Sequence, residues 1–224
     1  MTRYFKKLIP QYAILPLLLT LPSLLISYQG AKLVQALFGM PYVFDLTLPV
    51  DRWISFSPPW VLAYLASYAF WVYVYVVGTK ESPLTAWRLL VADWIGKLVS
   101  LCFFLLLPTT NVRPEITGQG ICDKLMALVF TMDTPTNLFP SAHCLIAWIG
   151  TRFIFRNKEL PNGRFHRSFS AVGTLLVFLS TVYTKQHVVA DLLGAIAVSE
   201  IAIFVSHHSK LPEKLQGLFA KSET

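Results

Sequence analysis

Long apolar runs separated by short polar segments dominate the pattern of this chain. A helix that spans a bilayer needs roughly 17–25 predominantly apolar residues. Six segments come close to that length, although the fourth and fifth reach it only with part of their flanks: 12–27, 59–78, 89–107, 141–155, 168–183 and 188–206. The pattern predicts an all-α integral membrane protein, a six-transmembrane-helix bundle in which residues 1–224 form a single domain.

The polar segments between these runs predict how the chain is arranged outside the membrane. The segment 31–58 contains three prolines with aromatic residues between them, and we expect it to lie along the interface. The segment 108–140 is the longest polar stretch, and apolar residues at helical spacing predict a short surface helix over 120–131. The link between the fifth and sixth spans, 184–186, is very short.

Composition agrees with a membrane protein. Hydrophobic residues make up 54% of the 224 residues and charged residues only 14%, against roughly 25% in a soluble domain. The mean hydropathy is +0.55. Three cysteines, Cys102, Cys122 and Cys144, form no CxxC or Cys/His cluster, so we expect neither a disulfide framework nor a metal site.

The net charge of +7 raises the possibility of nucleic-acid binding, but the distribution of the charges favours membrane topology. With a cytoplasmic N-terminus, thirteen of the 19 basic residues fall on the inner side: twelve in inner segments and Arg152 near the inner end of the fourth span. Five fall in outer segments, and Lys97 lies within a span. The positive-inside rule then predicts that both termini are cytoplasmic. Nucleic acid is not needed to explain the charge.

This topology brings a small set of polar residues to the outer membrane face. His187 opens the sixth span and Asp191 follows four residues later, so a helix places the two side chains on one face. A carboxylate in that position can accept a hydrogen bond from one imidazole nitrogen and leave the other as a nucleophile or base. A carboxylate inside an apolar run is rare and usually functional.

The sequence Pro140-Ser141-Ala142-His143 opens the fourth span at the same face. Pro140 suits the first turn of a helix, with Asn137 or Ser141 as its cap. The free N–H groups of such a turn, together with the helix dipole, favour a phosphate. The small Ala142 lets an anion approach the backbone, the Ser141 hydroxyl can donate to it, and His143 can deliver a proton.

Arg113 is the one arginine of the segment 108–140, and Pro114 follows it. Its planar fork of donors matches phosphate oxygens. A surface arginine that pairs with Glu115 or with lipid headgroups is the alternative reading of this position.

In combination, these residues resemble the type 2 phosphatidic acid phosphatase superfamily. The family pattern is an Arg-Pro pair, then Pro-Ser-x-His, then a His followed by an Asp four residues later. The resemblance covers about 108–194. More narrowly, the segments 133–143 (DTPTNLFPSAH) and 180–187 (STVYTKQH) resemble the branch that includes inositol phosphorylceramide synthases and related bacterial membrane phosphatases.

The resemblance implies a role for each matching residue. His187 is expected to be the nucleophile that forms a phosphohistidine, and Asp191 to orient it. His143 is expected to protonate the leaving oxygen and then to activate water. Arg113, Ser141 and the Ala142 amide are expected to hold the phosphoryl oxygens. The reaction is expected to need no metal and no cofactor.

Two cations of the family pattern are missing from this chain. The lysine expected seven residues before Arg113 is Leu106, and the arginine expected after Ser180 is Thr181. Lys185, two residues before His187, is the candidate replacement for one of these charges. The loss predicts weaker phosphate binding or a changed substrate.

The function predicted from these features is hydrolysis of a lipid phosphate or diphosphate at the outer face of a bacterial plasma membrane, with membrane lipids as partners. Polyprenyl diphosphate, phosphatidic acid and phosphatidylglycerol phosphate all fit, and the oligomeric state is left open. A lipid phosphotransferase, in which a lipid alcohol replaces water, is the nearest alternative.

The alternative from another class is a small proton-coupled transporter. Asp93 and Lys97 lie in the third span and Glu200 in the sixth, and ionisable groups within a membrane often serve transport. Since Lys97 and Glu200 fall at a similar depth, we expect them to pair, and we favour a structural ion pair over a relay.

Overall fold

The computed structural model describes residues 9–42 and 44–220 of the chain. In this part of the chain, the ordered elements are α-helices and two short 3₁₀ helices, Pro49–Arg52 and Pro58–Trp60. The α-helices are α1 Gln11–Phe38, α2 Val61–Gly78, α3 Pro83–Leu106, α4 Ile121–Met132, α5 Ala142–Arg156, α6 Gly163–Tyr183, α7 Val189–His208 and α8 Leu211–Ala220.

Five helices are long and apolar enough to cross a membrane: Gln11–Phe38, Pro58–Gly78, Pro83–Leu106, Gly163–Tyr183 and Val189–His208. The fourth predicted span corresponds to α5, which has only 15 residues. At about 1.5 Å per residue it is shorter than a bilayer core is thick. Most of its residues are buried, because α5 packs against α2, α3, α6 and α7 in the middle of the bundle. The protein is therefore α-helical and membrane-embedded.

The prediction that the segment 31–58 lies along the interface is wrong for its first part. Helix α1 continues to Phe38 and ends at Gly39, whose φ of 60° is left-handed. Polar residues such as Gln35 do not end the helix. The buried Gln35 amide instead donates to the Phe104 carbonyl at 2.6 Å and to Oδ1 of Asn137 at 2.7 Å. Contacts with distant segments therefore satisfy its polar atoms inside the structure.

The helices of the bundle alternate in direction, so their connecting loops gather at two ends. Helices α1, α3 and α6 run toward one end, which we call the site end, and α2, α5 and α7 start there. Backbone hydrogen bonds join the loops of the site end, from Phe44 to Pro108, from Ser57 to Tyr183, from Asn137 to Thr109 and from Ser141 to Asp191. The loops that the sequence assigns to one membrane face therefore lie together at one end of the bundle.

The surface helix expected over 120–131 is confirmed as α4. It lies at the site end, where Met126 and Val129 pack against Val61 and Tyr64 of α2. Helix α8 was not expected. It lies against α3 at the opposite end, where Arg88 pairs with Glu213 at 3.2 Å.

The expected pair of Lys97 with Glu200 is not formed. Lys97 instead pairs with Asp93 one turn earlier at 2.8 Å, in a buried position. Glu200 pairs with Arg152 at 2.6 Å and is partly exposed. The prediction went wrong because a similar depth in the membrane says nothing about which helix faces carry the two groups.

Basic residues are concentrated at the end opposite the site end, as the charge count predicts. There the loop that carries Lys80 meets the loop that carries Arg156 and Lys158. Four basic residues assigned to that side, Arg3, Lys6, Lys7 and Lys221, lie outside the described residues.

Candidate active site

His187 is presented by a tight turn that follows α6. The N–H groups of Gln186 and His187 both donate to the Thr181 carbonyl, at 2.9 and 3.0 Å, and the Lys185 N–H donates to Val182 at 3.2 Å. Lys185 adopts a left-handed φ of 54°. This is the Schellman arrangement that ends many helices. It reverses the chain within a few residues and leaves His187 directly before α7.

Asp191 holds the ring of His187. Nδ1 of His187 lies 3.1 Å from Oδ2 of Asp191, and the same oxygen accepts the Val188 N–H at 3.1 Å. A carboxylate only accepts, so Nδ1 carries the proton and Nε2 is left with its lone pair. Asp191 is buried in the first turn of α7, where the helix dipole favours its negative charge.

The sequence 140–143 begins helix α5 as expected, with one correction. Ser141 is the cap, and its hydroxyl oxygen accepts the Cys144 N–H at 3.4 Å. Pro140 lies before the cap rather than in the first turn, and Asn137 is not the cap. The Ser141 N–H donates to the Asp191 carbonyl at 3.2 Å, which fixes the start of α5 against the start of α7. Ala142 is the first helical residue, a position whose N–H has no intrahelical partner.

His143 lies beside His187, with 6.0 Å between the ring centroids. It is buried, and its Nε2 has no hydrogen-bond partner among the described residues. Three aromatic side chains of α2 surround its ring at centroid distances of 4.6 Å for Tyr64, 5.7 Å for Tyr68 and 4.8 Å for Trp71. We call them the aromatic enclosure, and the sequence analysis missed it. Their spacing, four and then three residues, places them on one helix face and was the available signal.

Arg113 bridges two segments of the site end. One guanidinium nitrogen donates to the Asp133 carbonyl and the other donates to Oε1 of Gln186 at 2.6 Å. The guanidinium also lies 4.7 Å from the Phe130 ring centroid. The expected alternative, a pair with Glu115, is not formed. Burial lowers the pKa of Arg113 and the Asp133 carboxylate opposes that shift, but an arginine keeps its charge in proteins.

A cavity of about 340 Å³ opens next to His187. Of the predicted site residues, Arg113, Lys185 and His187 line it, together with Asp51, Arg52 and Asn111. Four others do not line it and contact His187 or one another instead: Ser141, Ala142, His143 and Asp191. The structure therefore gathers the predicted residues around one histidine pair.

Lys185 lines the cavity, but its ammonium group is already engaged. It donates to the carbonyls of Asp51 and Ile54, at 3.0 and 2.5 Å. Two of its three donors thus tie the first loop of the site end to the turn that carries His187. The sequence analysis predicted that Lys185 binds phosphate. Only its third ammonium N–H is left for that role.

Leu106 and Thr181, the positions at which the resemblance led us to expect cations, have different surroundings. Leu106, the last residue of α3, is 81% exposed. Thr181 is buried, its hydroxyl donates to the Phe178 carbonyl at 2.8 Å, and its own carbonyl anchors the turn before His187. Neither position supplies charge to the cavity.

Two further residues support the site and were missed by the sequence analysis. Asp51 is buried and accepts the Val189 N–H at 2.8 Å, which fixes the start of α7. Asn111 donates to the Lys185 carbonyl at 3.1 Å. Asp51 lies in the 3₁₀ helix Pro49–Arg52 and Asn111 in a loop, and no periodic pattern identified them.

The described residues contain no group of three or more His, Cys, Asp or Glu side chains that could hold a metal ion. Compared with known proteins, the chain matches no family model, no curated protein and no solved structure.

Proposed function

We propose that this protein is a membrane lipid phosphatase that hydrolyses a lipid phosphate or diphosphate ester through a phosphohistidine. The observation that carries the proposal is the histidine pair. Asp191 orients His187 from 3.1 Å, and the ring of His143, with a free Nε2, lies 6.0 Å away. Two histidines in these roles supply a nucleophile and a general acid, which are the two groups that displacement at phosphorus requires.

In the first step, Nε2 of His187 attacks the phosphorus atom. A nitrogen–phosphorus bond forms as the bond from phosphorus to the leaving oxygen breaks, and His143 gives its proton to that oxygen. Asp191 keeps the Nδ1 proton in place and stabilises the positive charge on the ring. The lipid alcohol, or a lipid monophosphate when the substrate is a diphosphate, leaves.

In the second step, His143 takes a proton from water, which attacks the phosphohistidine. The nitrogen–phosphorus bond breaks and inorganic phosphate leaves. Arg113, the Ser141 hydroxyl and the Ala142 N–H hold the phosphoryl oxygens, with the remaining donor of Lys185. Phosphoryl transfer depends mainly on such positioning and charge stabilisation.

The membrane setting supports a lipid substrate. His187 lies between two helices that are long and apolar enough to cross a bilayer, Gly163–Tyr183 and Val189–His208. His143 begins the short helix α5, which packs among such helices. This setting favours a reaction centre near the headgroup level of one leaflet. The basic residues at the opposite end favour the cytoplasm for that end. We therefore assign the site to the outer membrane face, and the resemblance to bacterial membrane phosphatases favours a bacterial plasma membrane.

A lipid phosphotransferase would share the first step and replace water by a lipid alcohol.

A proton-coupled transporter has less support. Lys97 donates hydrogen bonds to Asp93 and to the Thr20 carbonyl, and Asp93 also accepts hydrogen bonds from Ser23 and Tyr75. Glu200 belongs to a separate pair with Arg152. A relay needs ionisable groups along a continuous path, which two separate pairs do not provide.

The proposal is tested with purified protein, a panel of lipid phosphates and EDTA in the buffer. We expect release of inorganic phosphate by the wild type and none by His187→Ala or His143→Ala. His208→Ala, the same substitution at the exposed far end of α7, is the matched control and should retain full activity. Full activity in either site variant contradicts the mechanism. A second arm adds a lipid alcohol, and a new phospholipid in place of free phosphate would identify a transferase.

A further inference from the structure

An apolar groove of about 440 Å³ lies between α1 and α2 and opens toward the lipid-facing side of the bundle. Leu17, Leu18 and Leu21 of α1 form one wall, and Val72 and Val76 of α2 form the other. We call it the α1/α2 groove. Most of the residues that line the groove are apolar. The charged residue among them, Lys97, is paired with Asp93.

The groove begins at the candidate active site. Tyr68 and Trp71 line it, and both belong to the aromatic enclosure of His143. Ile146, three residues after His143 and so about one helical turn along α5, lines it as well. The groove is therefore continuous with the side of the histidine pair on which His143 lies, whereas the polar cavity adjoins His187.

The direction of the groove suits a hydrocarbon chain. From Tyr68 to Val76 it follows α2 for about 12 Å at roughly 1.5 Å per residue, away from the site end. A chain within it would lie parallel to the helices, as acyl chains lie in a bilayer. In the proposed mechanism His143 protonates the oxygen that carries the lipid, so the lipid must extend from the His143 side.

A buried donor without a partner marks the junction between groove and site. Nε1 of Trp71 makes no hydrogen bond among the described residues. An unpaired buried donor destabilises the protein, so a ligand that brings an acceptor to it gains binding free energy. Oxygens near the phosphate of a lipid, bridging or ester, are such acceptors.

We propose that the α1/α2 groove binds the hydrocarbon chain of the lipid phosphate substrate, and that Trp71 donates a hydrogen bond to an oxygen next to the phosphate. This inference rests on the proposed function. It makes Trp71 a substrate-binding residue and Val72 a determinant of chain length.

The first test compares the same substitution in two clefts. Val72→Trp fills the α1/α2 groove, and Val172→Trp fills a second lipid-facing cleft between α2 and α6. The two valines are matched in exposure, at 64% and 57%. The substrates are dioleoyl phosphatidic acid and its dibutyryl analogue, which has the same headgroup and short chains.

For Val72→Trp we expect the KM of the dioleoyl substrate to rise at least about tenfold, which equals about 1.4 kcal/mol of binding free energy. The KM of the dibutyryl substrate should change less than about twofold, and Val172→Trp should change neither. Equal effects on both substrates, or no effect of Val72→Trp, would overturn the groove assignment and leave the phosphatase proposal standing.

The second test measures binding without turnover, in a His187→Ala background. Phosphatidic acid with brominated chains is added in small mole fractions to phosphatidylcholine vesicles that contain the protein, and tryptophan quenching is recorded. The difference in quenching between His187→Ala and His187→Ala/Trp71→Phe is the contribution of Trp71. We expect this difference to saturate as brominated phosphatidic acid is added, and to decrease when unbrominated phosphatidic acid competes.

Quenching that rises in proportion to the mole fraction, and is equal for brominated phosphatidylcholine, would mean that bulk bilayer lipid fills the groove and would overturn the inference. Saturable quenching without any phosphate release by the wild type would instead overturn the phosphatase proposal and keep the groove as a lipid phosphate site. The two failures are therefore distinguishable.

Discussion

Nδ1 of His187, which precedes α7, lies 3.1 Å from Oδ2 of Asp191, four residues later in the chain. The Asp191 carbonyl also accepts the N–H of Ser141, so the same residue orients one histidine and fixes the start of the helix that carries the other. Asp191 thus couples the two halves of the proposed reaction centre through its side chain and its backbone.

Asp191→Asn tests the side-chain half of this coupling. Asparagine keeps the shape and the backbone contact, but its amide can donate to Nδ1 and so favours the wrong tautomer of His187. We expect kcat to fall by about 10⁴-fold, the size of effect that the same substitution has in a serine-protease triad. Phosphate release under saturating substrate measures it. A loss below about tenfold, in a protein that unfolds at the wild-type temperature, would contradict the role of Asp191.

Arg113→Lys tests whether the planar fork of Arg113 matters beyond its charge. Arg113 contacts the Asp133 carbonyl and Gln186 at once, and a lysine ammonium cannot span both partners and also reach a phosphate. We expect KM to rise about 5–150-fold, the equivalent of about 1–3 kcal/mol, with a smaller change in kcat. Arg164→Lys, at an exposed position of α6 near the opposite end, is the control. If Arg113→Lys and Arg164→Lys had the same KM and kcat, Arg113 would not bind the phosphate group.

Lys185 combines a left-handed backbone with two hydrogen bonds of its ammonium group. Lys185→Ala and Lys185→Gly both delete these bonds, but glycine adopts the left-handed conformation at about 1–2 kcal/mol lower cost. We therefore expect the glycine variant to be more stable than the alanine variant by about 1 kcal/mol in chemical unfolding in detergent. Equal stability would show that the turn carries no strain.

The same two variants separate the structural role of Lys185 from phosphate binding. If its remaining donor holds the phosphoryl group, KM rises in both variants by a similar factor. An unchanged KM in the glycine variant would reduce Lys185 to a structural link between the turn and the loop that carries Asp51.

The two intramembrane ion pairs should differ sharply in their contribution to stability. Lys97→Met leaves Asp93 buried without its countercharge, and we expect a loss of about 3–5 kcal/mol in the free energy of unfolding. Glu200→Gln breaks a partly exposed pair and should cost less, because the long Arg152 side chain can extend its charge toward the polar interface. Unfolding in detergent measures both. We also expect Glu200→Gln to keep wild-type hydrolysis, and a selective loss of activity would reopen the transport reading.

The sequence by itself determined much of the helical architecture, because burial in a bilayer requires long apolar runs whose limits are visible in the chain. The same pattern located α4, since its apolar residues repeat at helical spacing. It also predicted that His187 and Asp191 lie close together. In the structure His187 precedes α7, so the turn before the helix, and not helical spacing alone, brings its ring to Asp191.

Only the tertiary structure decided which residues from different elements meet. The aromatic enclosure, the partner of Gln35, the ion pairs of Lys97 and Glu200, and the hydrogen bonds of Lys185 all join segments far apart in sequence or depend on how a helix is rotated. Neither hydropathy nor spacing encodes that rotation, because it follows from how all the helices pack together. The residues of the candidate site could therefore be named from the sequence, whereas the groove that we propose for the lipid chain depends on how the helices pack.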